Sequence, residues 1–387
     1  MSDKLPLIVV AGQTPPPAGG QNIMIERIVE ELSADSRWRT RHLDFRFTPD
    51  FSTVRKARFQ KIIELFRVTF RAIRLRLSAG KADVLLFPSG GPQTVPVVRD
   101  ILLLPIMMWL SRSVWIQFHA AGIAERLKQK SGLLEKLLLR VHGGIAGAIV
   151  MTDFNRCDPE SLGIARVRVM PHRIKDLNMD PQAGLEAQGG GRAEPCVNIL
   201  YAGHLYDQKG TPQLVDAFGT IAGEFPNARL ILMGEFLPPY SEDACKKRLR
   251  ALRIEDRVQI TGVLRGKEKD GVFRSAGLFV FPSIAAYESF GLVMAEAMMW
   301  GLPIVATDWR GNRDVAGPDA WYCPVPKDLK IETLLAEALR TALRSRTQWP
   351  ARGEAMRRRF VTLYSENPQN PPYRNLVSEL LGLSATR

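Results

Sequence analysis

The chain has 387 residues, 45% of them hydrophobic and 24% charged, a globular make-up too long for one ordinary core. No apolar run of about eighteen residues occurs, which argues against a membrane-spanning helix; the nearest stretch, 97–110, is interrupted by Arg99, Asp100 and Pro105. The formal charge of +13 points to an acidic partner, and the four scattered cysteines (Cys157, Cys196, Cys245, Cys323) lack metal-ligand spacing and read as free thiols.

The N-terminus lacks the basic-plus-apolar layout of a signal peptide, so a cytoplasmic location is expected. Residues 5–11 read as a strand, 12–20 as a loop ending in Gly19 and Gly20, and 21–32 as a helix. Strand, glycine loop, helix is the opening of a nucleotide-binding α/β unit. Further strands are expected at 40–45, 84–88, 113–118 and 148–152, with helices between them, including 133–142.

Between Arg55 and Lys81 the cations Arg55, Lys56, Arg58, Lys61, Arg67, Arg71, Arg74, Arg76 and Lys81 face a single acid, Glu64. Phe59, Ile62, Ile63, Phe66, Phe70, Ile73 and Leu77 recur there at helical spacing. Two readings stand side by side. The segment is an interfacial helix on anionic lipid, peripheral on the inner face of a membrane, or a surface helix that buries its apolar stripe in the core. Nucleic acid is not expected as a partner, because exposed aromatics are not interleaved with the cations and no nucleic-acid module accompanies them.

Residues 176–195 hold the run Gln188-Gly189-Gly190-Gly191-Arg192, several polar residues and two prolines, and read as a linker. A second alternation follows. Strands are expected at 197–201, 229–233, 258–262, 278–282, 304–306 and 321–323, and helices at 212–224, 244–252, 270–275, 293–300 and 332–344. The tail is helical in pieces and broken at 367–372. The expected organisation is two α/β domains with parallel sheets, 1–175 and 196–360, joined by 176–195, with a helical tail, 361–387, packing back on the first domain.

Two constellations carry chemistry. In the second half, Gly203-His204-Leu-Tyr-Asp-Gln-Lys209-Gly210-Thr-Pro212 runs from a strand into a helix. Its backbone N–H groups and Lys209 suit a diphosphate, although a plain surface turn reads the same way. Later, Glu288-Ser-Phe-Gly-Leu-Val-Met-Ala-Glu296 follows a strand that ends at Pro282. On one continuous helix these acids would stand about 12 Å apart, too far to share a proton. With Glu288 on the preceding loop, both line one extended ligand. The alternative is a capped helix, with Ser289 as N-cap and both acids beside the helix dipole.

The Glu288–Glu296 segment, continued by Gly301-Leu-Pro303, resembles the signature of the retaining glycosyltransferases of family 4. So does the order of the Gly19-Gly20 loop, Gln117-Phe-His119, the Gly203–Gly210 loop and Phe281-Pro-Ser283. The resemblance implies the GT-B fold, two Rossmann-like parallel-sheet domains facing across a deep cleft. It also implies a nucleotide-sugar donor, a UDP- or GDP-sugar, and a glycan or lipid-linked hydroxyl acceptor. By position, Glu288 meets the donor sugar, the amides of Phe290, Gly291 and Leu292 lie near sugar and phosphates, and Glu296 takes the ribose hydroxyls. Lys209 neutralises the diphosphate, with Gly203 and His204 beside it. Gly20 lets the first domain's loop approach, and His119 faces the donor sugar. The family's arginine after the glycine is His204 here, with Arg310 or Arg313 as candidate substitutes, and its Asn-Gly turn before the linker is Pro171-His172-Arg173.

The chain contains no Asp-x-Asp motif, so neither metal nor other cofactor is expected. The resemblance implies a front-face route in which the leaving phosphate takes the acceptor's proton. Other readings are a sugar-nucleotide epimerase, a glycosyl phosphorylase (for which no pyridoxal-lysine context is seen) or a catalytically silent scaffold subunit.

Overall fold

Short runs of Leu, Ile, Val and Phe alternate with longer amphipathic segments, and in the computed structural model they become parallel strands and covering helices. The structure describes residues 5–16, 20–47, 58–178, 196–326 and 330–383. Gly19, Arg55, Lys56 and linker residues 179–195 lie outside the described residues, as do the side chains of Arg58 and Phe59. Two units form: Met1–His172 with Asn367–Arg387, and Arg173–Glu366.

The first unit holds a six-stranded sheet in the order β2-β1-β3-β4-β5-β6. The strands are β1 (Leu7–Ala11), β2 (Arg39–Leu43), β3 (Ala82–Pro88), β4 (Ser111–Phe118), β5 (Gly147–Val150) and β6 (Val167–Val169), and every neighbouring pair is parallel. Its helices are α1 (Gly20–Ser33), α2 (Arg58–Ala79), α3 (Thr94–Leu110), α4 (Ile123–Gln129), α5 (Leu133–His142) and α6 (Cys157–Ser161). Right-handed crossovers in that strand order set α1 on one face of the sheet and α2, α3 and α5 together on the other. The run 97–110, too broken to span a membrane, belongs to α3, and β6 is a strand whose three residues, Val-Arg-Val, are too few to announce it.

The second unit holds β7 (Val197–Ala202), β8 (Ala228–Met233), β9 (Val258–Gly262), β10 (Leu278–Phe281), β11 (Ile304–Asp308) and β12 (Trp321–Pro324), in the order β12-β11-β10-β7-β8-β9. All neighbours are again parallel. Its helices are α7 (Thr211–Ile221), α8 (Glu242–Ala251), α9 (Gly266–Ser275), α10 (Leu292–Met299), α11 (Asn312–Ala316), α12 (Ile331–Arg344) and α13 (Trp349–Arg359). Residues 173–178 pack within this unit, where Arg357 pairs with Asp176 at 2.6 Å and the Asn178 side chain donates to the Met299 carbonyl at 3.1 Å. The last helix, α14 (Pro372–Leu380), belongs to the first unit, and Glu31 Oε1 accepts from the Tyr373 and Arg374 amides at its start.

α2 packs on the core, as one of its two readings expects, but not through the stripe that reading named. The apolar stripe of Ile62, Phe66, Phe70, Ile73 and Leu77 does not enter the core; these side chains are 52%, 70%, 67%, 40% and 80% exposed. Leu65, Val68, Ala72 and Leu75 face the sheet instead. The helix therefore has two apolar sectors, and the stripe picked out by helical spacing is the outer one.

A buried carboxylate shapes the loop after β4. Asp158, 1% exposed on α6, accepts from the amides of Gly122 at 3.0 Å and Ala124 at 2.7 Å, fixing the backbone that follows His119. Asp158→Ala strands two buried donors and is expected to lower stability by about 1–3 kcal/mol, read as a shift of the urea unfolding midpoint at unchanged slope.

Candidate active site

In the second sheet the strand order reverses between β10 and β7, since the chain builds β8 and β9 on one side of β7 and β10 to β12 on the other. Loops leaving the carboxyl ends of two such strands part there and open a crevice, the usual ligand position in parallel α/β sheets. The loops here are Gly203–Gly210 after β7 and Pro282–Gly291 after β10.

These loops are interlocked. The Ile284 amide donates to the Gln208 carbonyl at 2.9 Å. Gly210, at φ +75°, leaves no room for a side chain, since a Cβ there would stand 2.1 Å from the Pro282 carbonyl oxygen. Lys209 ends a 3-10 turn (Asp207–Lys209), and Gly210 then starts α7, with Pro212 in its first turn. The lysine is thus delivered by a left-handed turn pressed against the other loop.

Lys209 Nζ lies 2.6 Å from Glu288 Oε2, with both side chains largely buried. The same carboxylate oxygen accepts from Ser283 Oγ at 2.6 Å. Lys209 Nζ also stands 5.8 Å and 5.9 Å from the ring centres of Phe281 and Tyr287. Ser283 is fully buried; Thr307 Oγ1 donates to its carbonyl, and Asn312 Nδ2 donates to Thr307 Oγ1 at 3.0 Å. A polar chain from β11 and α11 therefore fixes the carboxylate. Lys209 and Glu288, expected as two separate ligand contacts, are joined to each other. Ser283, part of the motif, takes a role that the sequence does not announce.

Glu288 sits on the loop before α10, whose N-cap is Gly291 in the left-handed region at φ +64°. The alternative reading, with Ser289 as N-cap, does not hold, because Gly291 is the N-cap and Ser289 lies two residues before it. The Phe290 ring is buried edge-on against Tyr364, with centroids 5.3 Å apart, so its packing presents the following turn. At the start of α10 the Leu292 and Val293 N–H groups have no acceptor inside their own helix, whereas the Met294 amide donates to the Gly291 carbonyl at 2.8 Å. Glu296 lies in the second turn. Its Oε1 pairs with Lys269 of α9 at 2.6 Å, while Oε2 is buried without a hydrogen-bond donor. Nothing in the sequence around Lys269 marks it for this contact.

Beside this pair, the Gly203 amide donates to the Met233 carbonyl at 2.9 Å, and the Tyr201 hydroxyl donates to the His204 carbonyl at 2.6 Å. Burial, and then the charge of Lys209, hold the His204 imidazole below its ordinary pKa, opposed by Glu235. It is neutral at neutral pH. Arg313 is engaged by Asp308 and lies 4.1 Å from the Tyr322 ring centre, so it is no ready substitute for the missing arginine. Arg310 lies over the Trp309 ring.

The first unit contains Gly20 and His119. Gly20 is exposed at the start of α1, and no protein atom falls within 4 Å of a Cβ built there, so the chain's own packing does not demand glycine. His119 Nε2 is 3.1 Å from Gln117 Oε1, and its ring stacks on His172 with centroids 5.4 Å apart. Burial pushes the His119 imidazole down to about 4. It also pushes His172 well below the ordinary value, helped by the nearby His119 and Arg27. The Pro171-His172-Arg173 departure from the family pattern thus supplies the stacking partner.

Among the described residues, no group of three or more His, Cys, Asp and Glu side chains is placed to hold a metal ion.

Residues 196–345 match the family model of the glycosyl transferases group 1. Over 302 residues the chain is 29% identical to a phosphatidyl-myo-inositol mannosyltransferase of Mycobacterium tuberculosis, covering 76% of this chain and 73% of the relative. A sucrose-phosphate synthase from Thermosynechococcus elongatus superposes with a TM-score of 0.70 at 18% identity, over 97% of this chain and 98% of that one. Anabaena HepE in complex with UDP does so at 0.66 and 15%, over 98% and 100%. The fold is therefore GT-B, and the protein is a glycosyltransferase. The match to the glycosyl transferases group 1 lies within its second unit.

The stacked imidazoles make a pH prediction. Both are neutral when folded but bind protons below about 6.5 when unfolded. The unfolded state then holds more protons, so stability falls as pH drops from about 6.5 toward 4. Thermal melts across that range are expected to show the decline, and His172→Gln to flatten it.

Proposed function

We propose that the protein is a retaining, metal-independent glycosyltransferase. It moves a sugar from a UDP- or GDP-sugar to a hydroxyl of a lipid-linked or cell-envelope acceptor. The observation that carries this reading is the convergence of Lys209, Glu288 and Ser283 at the strand-order reversal, with the start of α10 just beyond.

In the transfer, the bond between the anomeric carbon and the diphosphate breaks and a bond to the acceptor oxygen forms. The acceptor's proton goes to the departing phosphate on the same face. Negative charge grows on the diphosphate, where Lys209 and the α10 amides meet it without reorganisation. Glu288 holds the lysine in place and offers its carboxylate to sugar hydroxyls. The undonated Glu296 Oε2 suits a ribose hydroxyl. A nearby phosphate favours the protonated form of His204, giving it the cationic role of the family's arginine. His119, neutral and beside Gln117 Oε1, suits a sugar hydroxyl, and Gly20 leaves open space at the start of α1 for a ligand.

HepE, solved with UDP, supports a nucleotide-sugar donor, and the mycobacterial relative supports a lipid acceptor. In this reading the protein is peripheral and meets a lipid acceptor at the cytoplasmic surface. Among the described residues no helix is long and apolar enough to cross a membrane.

Glu288→Ala and Lys209→Ala are each expected to cut kcat by two to four orders of magnitude, about 3–5 kcal/mol of transition-state stabilisation, with far-ultraviolet circular dichroism unchanged. Near-normal turnover in both removes the assignment. Chromatography of the products separates the other activities: free nucleoside diphosphate without acceptor marks an epimerase, and donor binding without any product marks a silent subunit. Activity is expected to persist in EDTA; its loss and rescue by Mg²⁺ or Mn²⁺ overturns the metal-independent route.

A further inference from the structure

The sheet of the first unit is covered unevenly. On one face α1 is itself flanked by α14 through Glu31. On the other, α2, α3 and α5 lie side by side with apolar side chains pointing outward. At about 100° per residue, the exposed Ile62, Phe66, Phe70, Ile73 and Leu77 of α2 fall within an arc of about 80°. On α3, Val95, Val98, Leu102 and Trp109 are 58%, 38%, 47% and 47% exposed and fall within about 60°. On α5, Leu133 and Leu137 are 75% and 38% exposed. The Arg76 guanidinium lies 5.7 Å from the Trp109 ring centre and joins α2 to α3. Of the three, α3 is apolar around most of its circumference, which a helix fully surrounded by its own domain or by lipid can bear.

The charges of this face have one sign. Arg67, Arg71, Arg74 and Lys81 are exposed around α2, and Lys128, Lys130, Lys136 and Arg140 around α4 and α5. The acids of these helices are withdrawn. Glu64 is buried beside Arg67 and Arg71, Asp100 against Arg99 at 2.6 Å, and Glu135 against Arg126 at 2.7 Å; Glu125 is half-buried. No acid is exposed among the described residues of α2 to α5.

We propose that the outer face of α2, α3 and α5 is a docking surface for an anionic lipid bilayer. The three helices lie flat, with their apolar side chains at the headgroup–acyl boundary and their cations among the lipid phosphates. The proposal deepens the lipid-acceptor reading above, on which it rests for its purpose. A second copy of the chain fits the face poorly, because pairing would set like-charged rims against each other.

Flotation of the full chain tests it, with vesicles of phosphatidylcholine alone and of phosphatidylcholine mixed with phosphatidylglycerol. The protein is expected to float only with the anionic vesicles, and less as salt rises. Phe66→Glu with Phe70→Glu should abolish flotation. Arg67→Gln, Arg71→Gln and Arg74→Gln together should weaken it on the order of a hundredfold. Brominated lipid should quench a component of the tryptophan emission that Trp109→Phe removes. All these variants should retain donor turnover with a water-soluble acceptor. Equal recovery with both vesicle types, or undiminished flotation of the Phe66/Phe70 variant, overturns the proposal. So does a dimer in sedimentation equilibrium that this variant dissociates, which assigns the face to a second copy. Flotation reads no catalysis, so a chain that floats but turns over no donor defeats the functional reading and leaves this one intact.

Discussion

The ion pair between Lys209 and Glu288 is the contact on which the second unit's site turns. It bridges two loops that leave neighbouring strands in opposite senses, and both loops are shaped to permit it. Gly210 is pressed so closely on Pro282 that no side chain fits, and the Ile284 amide reaches back to Gln208. A buried lysine and a buried carboxylate are each costly alone and tolerable together. Ser283 supplies a second donor to the same oxygen. The cation is therefore positioned before any ligand arrives, which is the condition under which a fixed charge contributes most to a transition state.

The same restraint of charge runs through the other polar positions. Glu296 is half satisfied by Lys269 and keeps one oxygen undonated. The imidazoles of His119, His172 and His204 are held neutral, chiefly by burial. The second unit's site thus has a pinned lysine, a poised carboxylate oxygen and a histidine whose charge depends on what comes near it. A permanent arginine after Gly203 would add repulsion to Lys209 in the empty state; His204 avoids that.

Much of this is legible in the sequence, because buried parallel strands are nearly continuous apolar runs. The strand at 258–262 and the helix at 133–142 fall where the pattern places them, and the others shift by a few residues at their ends. The Glu288 motif is legible because it follows a strand ending in proline. What is not legible comes from contacts between distant positions. Lys269 meets Glu296 across the gap between two helices, and His172 stacks on His119 from the far end of the unit. Neither leaves a periodic trace. The outer stripe of α2 is apolar as its spacing says but has no core to enter, since periodicity identifies a face and not what lies against it. Ser289 looks like a cap by residue type, whereas the turn is made by the backbone freedom of Gly291.

The path of the chain has a consequence for how the protein is made. Unit one precedes unit two along the chain, gives way to it at Arg173 and is resumed only at Asn367. Its α1 flank is finished by a helix whose buried Tyr373 and leading amides settle on Glu31. A ribosome reading toward the carboxyl terminus delivers that helix only after the second unit. The nascent first unit must wait, with one side of α1 uncovered, while the whole of the second unit is synthesised, and domains that emerge early are free to fold before the rest. The second unit, continuous in sequence, has no such gap and can close as soon as it has emerged.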